Sequence, residues 1–258
     1  MTRVAGDALD EALYDGASGR ELAAVLDLPR VEVRDRLSST LDLAHDLAAA
    51  SAPAGTLVLA DEQTAGRGRG GRSWVSGRGA GLWLTLLERP ADESAVEVLS
   101  IRVGIRAARV LDRYAPAPVS LKWPNDLLVE GGKLAGVLLE SRWREARIEW
   151  VAIGLGVNVR APSGVEGAAS LLPDTSRIEL LGELIPAVRA AAAARGALAT
   201  SELDEYASRD RWRGRACALP SPGTVEGIDA SGALLVRSGR GLVRCRSGSL
   251  VLDDGRTL

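Results

Sequence analysis

The chain has no phenylalanine, one methionine (the first residue), one histidine and two cysteines among 258 residues. Cys217 and Cys245 lack metal-ligand spacing and form no disulfide framework, so neither receives a function. The single histidine, His45 in "LAHDLA", rules out the H-R-D motif of a protein kinase and reads as a partly exposed helix residue. No apolar run approaches the roughly 20 residues that cross a bilayer. The N-terminal stretch "MTRVAGDALDEALYDG" is acidic, where a secretion signal starts basic and turns apolar. A cytoplasmic protein without a membrane partner is expected. An excess of one charge sign is also missing: the net charge is −2. That excludes a global attraction to nucleic acid, and any basic surface must be local.

Other scarcities carry more information. Of 32 Lys and Arg residues only Lys122 and Lys133 are lysine, which leaves 30 arginines. Asparagine occurs only as Asn125 and Asn158, and glutamine only as Gln63. This is a coding bias toward Ala, Arg, Gly and Val that replaced Lys, Asn and Gln wherever the exchange was harmless. The survivors are candidates for positions where it is not, with chance clustering as the alternative, because lysine and arginine differ in shape and hydration, and a side-chain amide both donates and accepts. All five lie between positions 63 and 158.

Along the chain, "DALDEALYDG" and "SGRELAAVLDLP" read as short helices ended by Pro29, the second resembling half of a helix-turn-helix. "VEVRDRL" alternates as a strand. "SSTLDLAHDLAAA" is helical, with Ser39 and Thr40 as cap candidates and Leu43, Ala44, Leu47 and Ala48 on one face. Strands follow at "GTLVLAD" and "GLWLTLLE", then one helix over 94–114. Next come strands at "PVSLKW", "DLLVE", "KLAGVLLES" and "IEWVAIGLGVNV", the last mostly apolar and buried. Helices are predicted at about 177–195 and 201–209. From Trp212 onward, five short strand-like pieces around glycine turns predict a small β-barrel.

Between the second and third strands lies "QTAGRGRGGRSW", Gln63 to Trp74. "GRGRGG" formally matches a dinucleotide-binding glycine loop, but that loop needs a helix directly after it, and a strand follows here. An RGG-type RNA segment would be repeated in a disordered tail. "EGGKLAG" lacks the spacing and the Ser or Thr of a Walker A loop. The chemistry fits a mobile anion clamp instead. Arg67, Arg69 and Arg72 offer planar donors to carboxylate or phosphate, the glycines permit closure, and Trp74 supplies an apolar wall. In "KWPNDLLVEGGKLAGVLLE", a hairpin that returns Lys133 to the end occupied by Lys122 and Asp126 gathers two cations and a carboxylate. Such a cluster suits a nucleotide site, with Asp126 holding a magnesium ion or orienting Lys133. An ordinary surface ion-pair network is the bland alternative.

Taken in order, "SST", "GRGRGGRSW", "KWPND" followed by "GGKLAG", and "IGLGVNV" resemble the biotin protein ligase family across about residues 38–160. The resemblance implies an α+β fold: a class II synthetase-like catalytic domain with a central mixed and largely antiparallel sheet, plus a C-terminal SH3-like β-barrel. It implies residues 1–37 as a helical extension with the first strand, 38–210 as the catalytic domain and 211–258 as the barrel. It also implies two reactions. Biotin and ATP give biotinyl-5′-AMP, and biotin then passes to a lysine on the biotin carboxyl carrier domain of an acyl-CoA or pyruvate carboxylase. ATP, biotin and Mg2+ are the expected small molecules, with no tightly bound prosthetic group.

By matched position, the resemblance implies that Ser39, Thr40, Leu41, Gln63, Gly66, Arg67, Gly68, Arg69, Lys133, Gly136 and Gly154 bind biotin. Arg67, Arg69, Arg72, Trp74, Lys122, Asn125, Lys133, Gly156 and Asn158 would serve ATP and the adenylate. Lys133 is the first catalytic candidate, with Arg69 and Asp126 beside it and Asp126 as the magnesium ligand. The sequence departs from the family pattern at Leu41, where asparagine is common, and at Gly70, where another arginine is common. The first 38 residues are too short for a complete winged helix-turn-helix. A monofunctional ligase without specific nucleic-acid binding is therefore expected, as a monomer or weak homodimer. Lipoate or octanoate ligation on the same fold, and a non-catalytic biotin sensor, are the rivals.

Overall fold

The computed structural model describes residues 12–145 and 147–253. Residues 7–11 of the first expected helix lie outside these. Residues 14–17 form a tight turn closed by reciprocal backbone bonds between Tyr14 and Ala17. Helix α1 (Gly19–Val25) starts at a capping box in which the Ser18 side chain accepts from Glu21 N and the Glu21 side chain accepts from Ser18 N.

Seven strands build the main sheet: β1 (Arg30–Leu37), β2 (Thr56–Gln63), β3 (Gly81–Glu88), β4 (Ser120–Lys122), β5 (Asp126–Val129), β6 (Gly132–Arg144) and β7 (Arg147–Asn158). Their order is β1-β2-β3-β7-β6-β5-β4. Only β1–β2 is parallel, which makes the sheet mixed as expected. Strand β1, assigned from sequence to the N-terminal extension, is hydrogen-bonded into this sheet from Arg30 opposite Thr56 to Leu37 opposite Gln63.

Helices α3 (Leu99–Leu111), α4 (Arg177–Ala192) and α5 (Thr200–Arg209) join the main core, which takes Leu82, Leu84 and Leu86 from β3. The expected 94–114 helix is divided, because a 3-10 segment, Glu93–Val98, leads into α3. Helix α2 (Thr40–Ala49) covers the other face of the sheet, above Thr85 and Leu87. Its buried positions are Thr40, Leu41, Ala44 and Ala48, with Leu43 and Leu47 half-buried. The apolar stripe therefore lies nearer Leu41 than the sequence period placed it. Leu41 packs directly over Gly154 of β7, where an added Cβ would stand 3.4 Å from both its methyls.

Five C-terminal strands, β8 (Ala216–Leu219), β9 (Gly223–Ile228), β10 (Leu234–Ser238), β11 (Gly241–Cys245) and β12 (Val251–Leu252), form an antiparallel sheet in the order β11-β10-β9-β8-β12. It meets the turn between β4 and β5 of the main sheet through Trp123, whose Nε1 donates to Gly232 O at 2.9 Å. Among the described residues no helix is long and apolar enough to cross a membrane.

Candidate active site

A strand period of two sets Gly136, Leu138 and Glu140 of β6 on one face, opposite Gly156, Gly154 and Ala152 of β7. Three of these six carry no side chain, so the sheet has a hollow floor just where the N-terminus of α2 approaches. Over it lies a cavity of about 260 Å3. Four of the five scarce side chains converge here in space: Gln63, Asn125, Lys133 and Asn158 all line the cavity.

At the α2 end, Gln63 Oε1 accepts from Thr40 N (2.8 Å) and Thr40 Oγ1 (3.1 Å), and Gln63 Nε2 donates to Ser76 Oγ at 2.8 Å. Thr85 Oγ1 donates to Thr40 Oγ1 at 2.8 Å, while Ser39 Oγ caps Leu41 N. Ser39, Thr40 and Leu41 line the cavity beside Gln63. This corner is a set of donors and acceptors already held in fixed orientation, suited to a polar head group.

The arginine loop is a hairpin folded back on itself. Gly68 N donates to Arg72 O at 2.7 Å, and Trp74 N donates to Gly66 O at 2.8 Å. Gly70 (φ 65°) and Gly71 (φ 77°) turn the tip through left-handed backbone that favours glycine. An arginine at position 70 would be strained in this turn. Arg67, Gly68, Arg69 and Arg72 line the cavity, and Arg69 Nη1 also donates to Gly248 O of the C-terminal portion at 3.2 Å. Burial draws the Arg69 pKa down, with Asp126 opposing and Arg72 adding to the shift. Trp74 lies on the hollow floor: a Cβ at Gly156 would stand 2.6 Å from its Nε1, and one at Gly136 would stand 3.2 Å from its ring. That Nε1 is buried and has no hydrogen-bond partner among the described residues.

The third side is the β4–β5–β6 meander. Lys122 and Asp126 face each other across the turn holding the cis Trp123–Pro124 bond, and Lys133 Nζ reaches Asp126 Oδ1 at 2.7 Å. Lys133 Nζ also lies 5.1 Å from the centre of the Trp74 ring, within cation–π range. Burial lowers the Lys122 pKa, Asp126 opposes that, and Lys133 and Arg72 reinforce it. Asn125 Nδ2 is committed to Val137 O at 2.7 Å. Asn158 Nδ2 donates to Lys133 O at 3.1 Å, while its buried Oδ1 has no partner among the described residues and is a ready acceptor.

Of the residues expected to hold biotin, ATP or metal, Gly66, Lys122 and Asp126 stand behind the wall rather than on it; the others, Gly136, Gly154 and Gly156 included, line the cavity. Gly66 is fixed by the hairpin, since a Cβ there would meet Trp74 O at 2.4 Å. Sequence reasoning missed the opposite wall, Pro162 and Val165 to Ala168. That segment is anchored to Lys133, whose N donates to Gly167 O (2.6 Å) and whose O accepts from Ala169 N (2.9 Å). A single parallel bridge leaves no periodicity to read; its only sequence trace is Gly132, where a Cβ would stand 2.9 Å from Ala169 Cβ.

The model of the biotin/lipoate A/B protein ligase family matches residues 33–158. The solved biotin protein ligase of Aquifex aeolicus, in complex with biotin and ATP, has a TM-score of 0.69 at 23% identity, covering 86% of this chain and 97% of that one. Mixed sheet, glycine floor and C-terminal antiparallel sheet thus define a fold of the biotin and lipoate ligase class. The biotin–[acetyl-CoA-carboxylase] ligase of Paracoccus denitrificans is 37% identical over 212 residues, 71% of this chain and 85% of the relative. The chain belongs to the biotin protein ligase family. The bifunctional ligase/repressor BirA of Bacillus subtilis is 43% identical over 126 residues, 48% of this chain. The chain spans 40% and 39% of the lengths of the two Bacillus ligase/repressors it matches.

Proposed function

We propose that the chain is an ATP-dependent biotin protein ligase that makes biotinyl-5′-AMP and then biotinylates a lysine of a biotin carboxyl carrier domain. The observation that carries this is the convergence on one cavity of Gln63, Asn125, Lys133 and Asn158, residue types that the rest of the chain has almost eliminated.

In the first step a carboxylate oxygen of biotin attacks the α-phosphorus of ATP, and pyrophosphate leaves. Two anions must meet, so cations have to be fixed before the charge develops. Lys133, held by Asp126, is aimed into the cavity for the carboxylate and the α-phosphate, and Arg67, Arg69 and Arg72 surround the same space. The Ser39–Thr40–Gln63 corner suits the ureido head of biotin. Asn158 Oδ1 suits an exocyclic amine of adenine, with Gly154 and Gly156 beneath and Trp74 as a stacking wall. In the second step the carrier-lysine amine attacks the acyl carbon and AMP leaves. The arginine hairpin and the 162–168 wall shield the anhydride from water until then.

A protein-held magnesium ion fits these residues poorly. Asp126 already pairs with Lys133 Nζ at 2.7 Å and faces Lys122 across the turn, so its charge is offset by cations rather than left for a dication. This supports the orienting role of Asp126, with any magnesium carried on the polyphosphate. The carrier domains of acyl-CoA and pyruvate carboxylases are the proposed partners, and residues 38–210 and 211–258 the proposed catalytic and barrel units. Incubation with biotin, ATP and an apo carrier domain tests the reading by intact mass. One biotin added to the carrier lysine is expected; an unmodified carrier contradicts it.

A further inference from the structure

His45, the only histidine of the chain, stands on α2 outside the cavity but two contacts from its arginine hairpin. Its Nδ1 lies 2.9 Å from Trp150 Nε1. An indole N–H only donates, so Nδ1 accepts and the imidazole proton sits on Nε2. From there it is donated to Glu140 Oε2 at 3.0 Å. The same carboxylate oxygen accepts from Arg67 Nη2 at 3.1 Å, and Arg67 Nη1 reaches Asp42 Oδ1 at 2.9 Å. Register explains the meeting: Glu140 follows Gly136 and Leu138 on the face of β6 that floors the cavity, and Asp42 and His45 share one face of α2 at helical spacing.

We propose that Glu140 is a positioning residue that docks Arg67, and through it the Gly66–Trp74 hairpin, at the mouth of the cavity. Trp150 and His45 hold the Glu140 carboxylate in orientation, and Asp42 takes the other end of the guanidinium. Docking uses two of the five guanidinium N–H donors and leaves three for a ligand anion. The consequence for catalysis rests on the ligase reading, whereas the docking itself does not. Both carboxylates are partly exposed, with side chains 34% and 47% accessible, so the clip is weak and reversible.

Limited trypsinolysis of the ligand-free full chain tests the docking, because Arg67, Arg69 and Arg72 are cleavage sites within the hairpin. Glu140→Gln and His45→Gln should each accelerate hairpin cleavage roughly two- to fivefold, the range one exposed ion pair supplies. Arg67→Ala should accelerate cleavage after Arg69 and Arg72 by a similar factor, and Glu140→Gln added to it should change nothing further. Wild-type cleavage rates in the single variants, or additive effects in the double, overturn the proposal. A matching rise in the escape rate of preformed biotinyl-5′-AMP from Glu140→Gln supports the catalytic consequence. Since proteolysis needs no ligand, its failure leaves the ligase reading standing, and an unmodified carrier in the assay above leaves the docking standing.

Discussion

Lys133 does two jobs that substitution can separate. Its Nζ compensates Asp126, whose side chain is only 9% accessible, and it points into the cavity beside Trp74. Lys133→Met strands that carboxylate. Breaking a fully buried pair costs about 3–5 kcal/mol, but Lys133 is 27% accessible and Lys122 still faces Asp126, so about 2 kcal/mol is expected. Lys133→Arg keeps the charge and should retain most of that stability. It should nevertheless fail in adenylation, because a longer planar fork cannot set its charge where the compact ammonium stands, 2.7 Å from Asp126 Oδ1 and 5.1 Å from the Trp74 ring centre. Loss of one oriented charge donor costs about 10²–10³-fold in rate. Urea denaturation reads the first effect and single-turnover adenylate formation the second. Wild-type stability in Lys133→Met would refute the ion-pair argument. A wild-type rate in Lys133→Arg would refute both the geometry and the inference that this lysine survived for its shape.

Two further outcomes follow from buried groups. Gly156→Ala puts a methyl 2.6 Å from Trp74 Nε1, so the indole must leave the floor. Because Trp74 sits on a hairpin that can give way, we expect about 1 kcal/mol of destabilisation, a red-shifted tryptophan emission and weaker ATP binding; unchanged emission with unchanged ATP affinity contradicts this. Tyr206 is buried with no partner for its hydroxyl among the described residues, and burial holds its pKa well above the ordinary value of 10.0. The unfolded chain releases that proton near pH 10 while the folded chain keeps it, so stability is complete below pH 10 and falls above it by about 1.4 kcal/mol per pH unit. Tyr206→Phe should flatten that alkaline loss in urea titrations at pH 9 and pH 11, and parallel losses in the two proteins would contradict it.

The strands were legible because their signals are local. "GLWLTLLE" and "IEWVAIGLGVNV" carry apolar period-two runs, and the five C-terminal pieces are punctuated by glycine turns. The lining of the candidate cavity was legible through scarcity and motif order: a chain with arginine in almost every basic position has its two lysines on one wall, Lys133 lining the cavity and Lys122 opposite Asp126 behind it. What stayed hidden depends on contacts distant in sequence. The 162–168 wall is a loop pinned to Lys133 by two backbone bonds, with no period of its own. Helix α2 buries Leu41 because that side chain packs over Gly154 of β7, a contact that exists only once the strand lies beneath the helix. His45 read as a bland, partly exposed helix residue, and its link to Arg67 through Glu140 exists only once β6 lies beside α2.

ATP–pyrophosphate exchange, run in parallel with biotin, lipoate and octanoate as the acid, tests the central claim most directly. It isolates carboxylate activation from carrier recognition and needs only the chain and small molecules. The arrangement of the Ser39–Thr40–Gln63 corner and Lys133 predicts exchange that depends on biotin and is lost in Lys133→Arg. Exchange supported by lipoate or octanoate but not by biotin, or by none of the three, would contradict it.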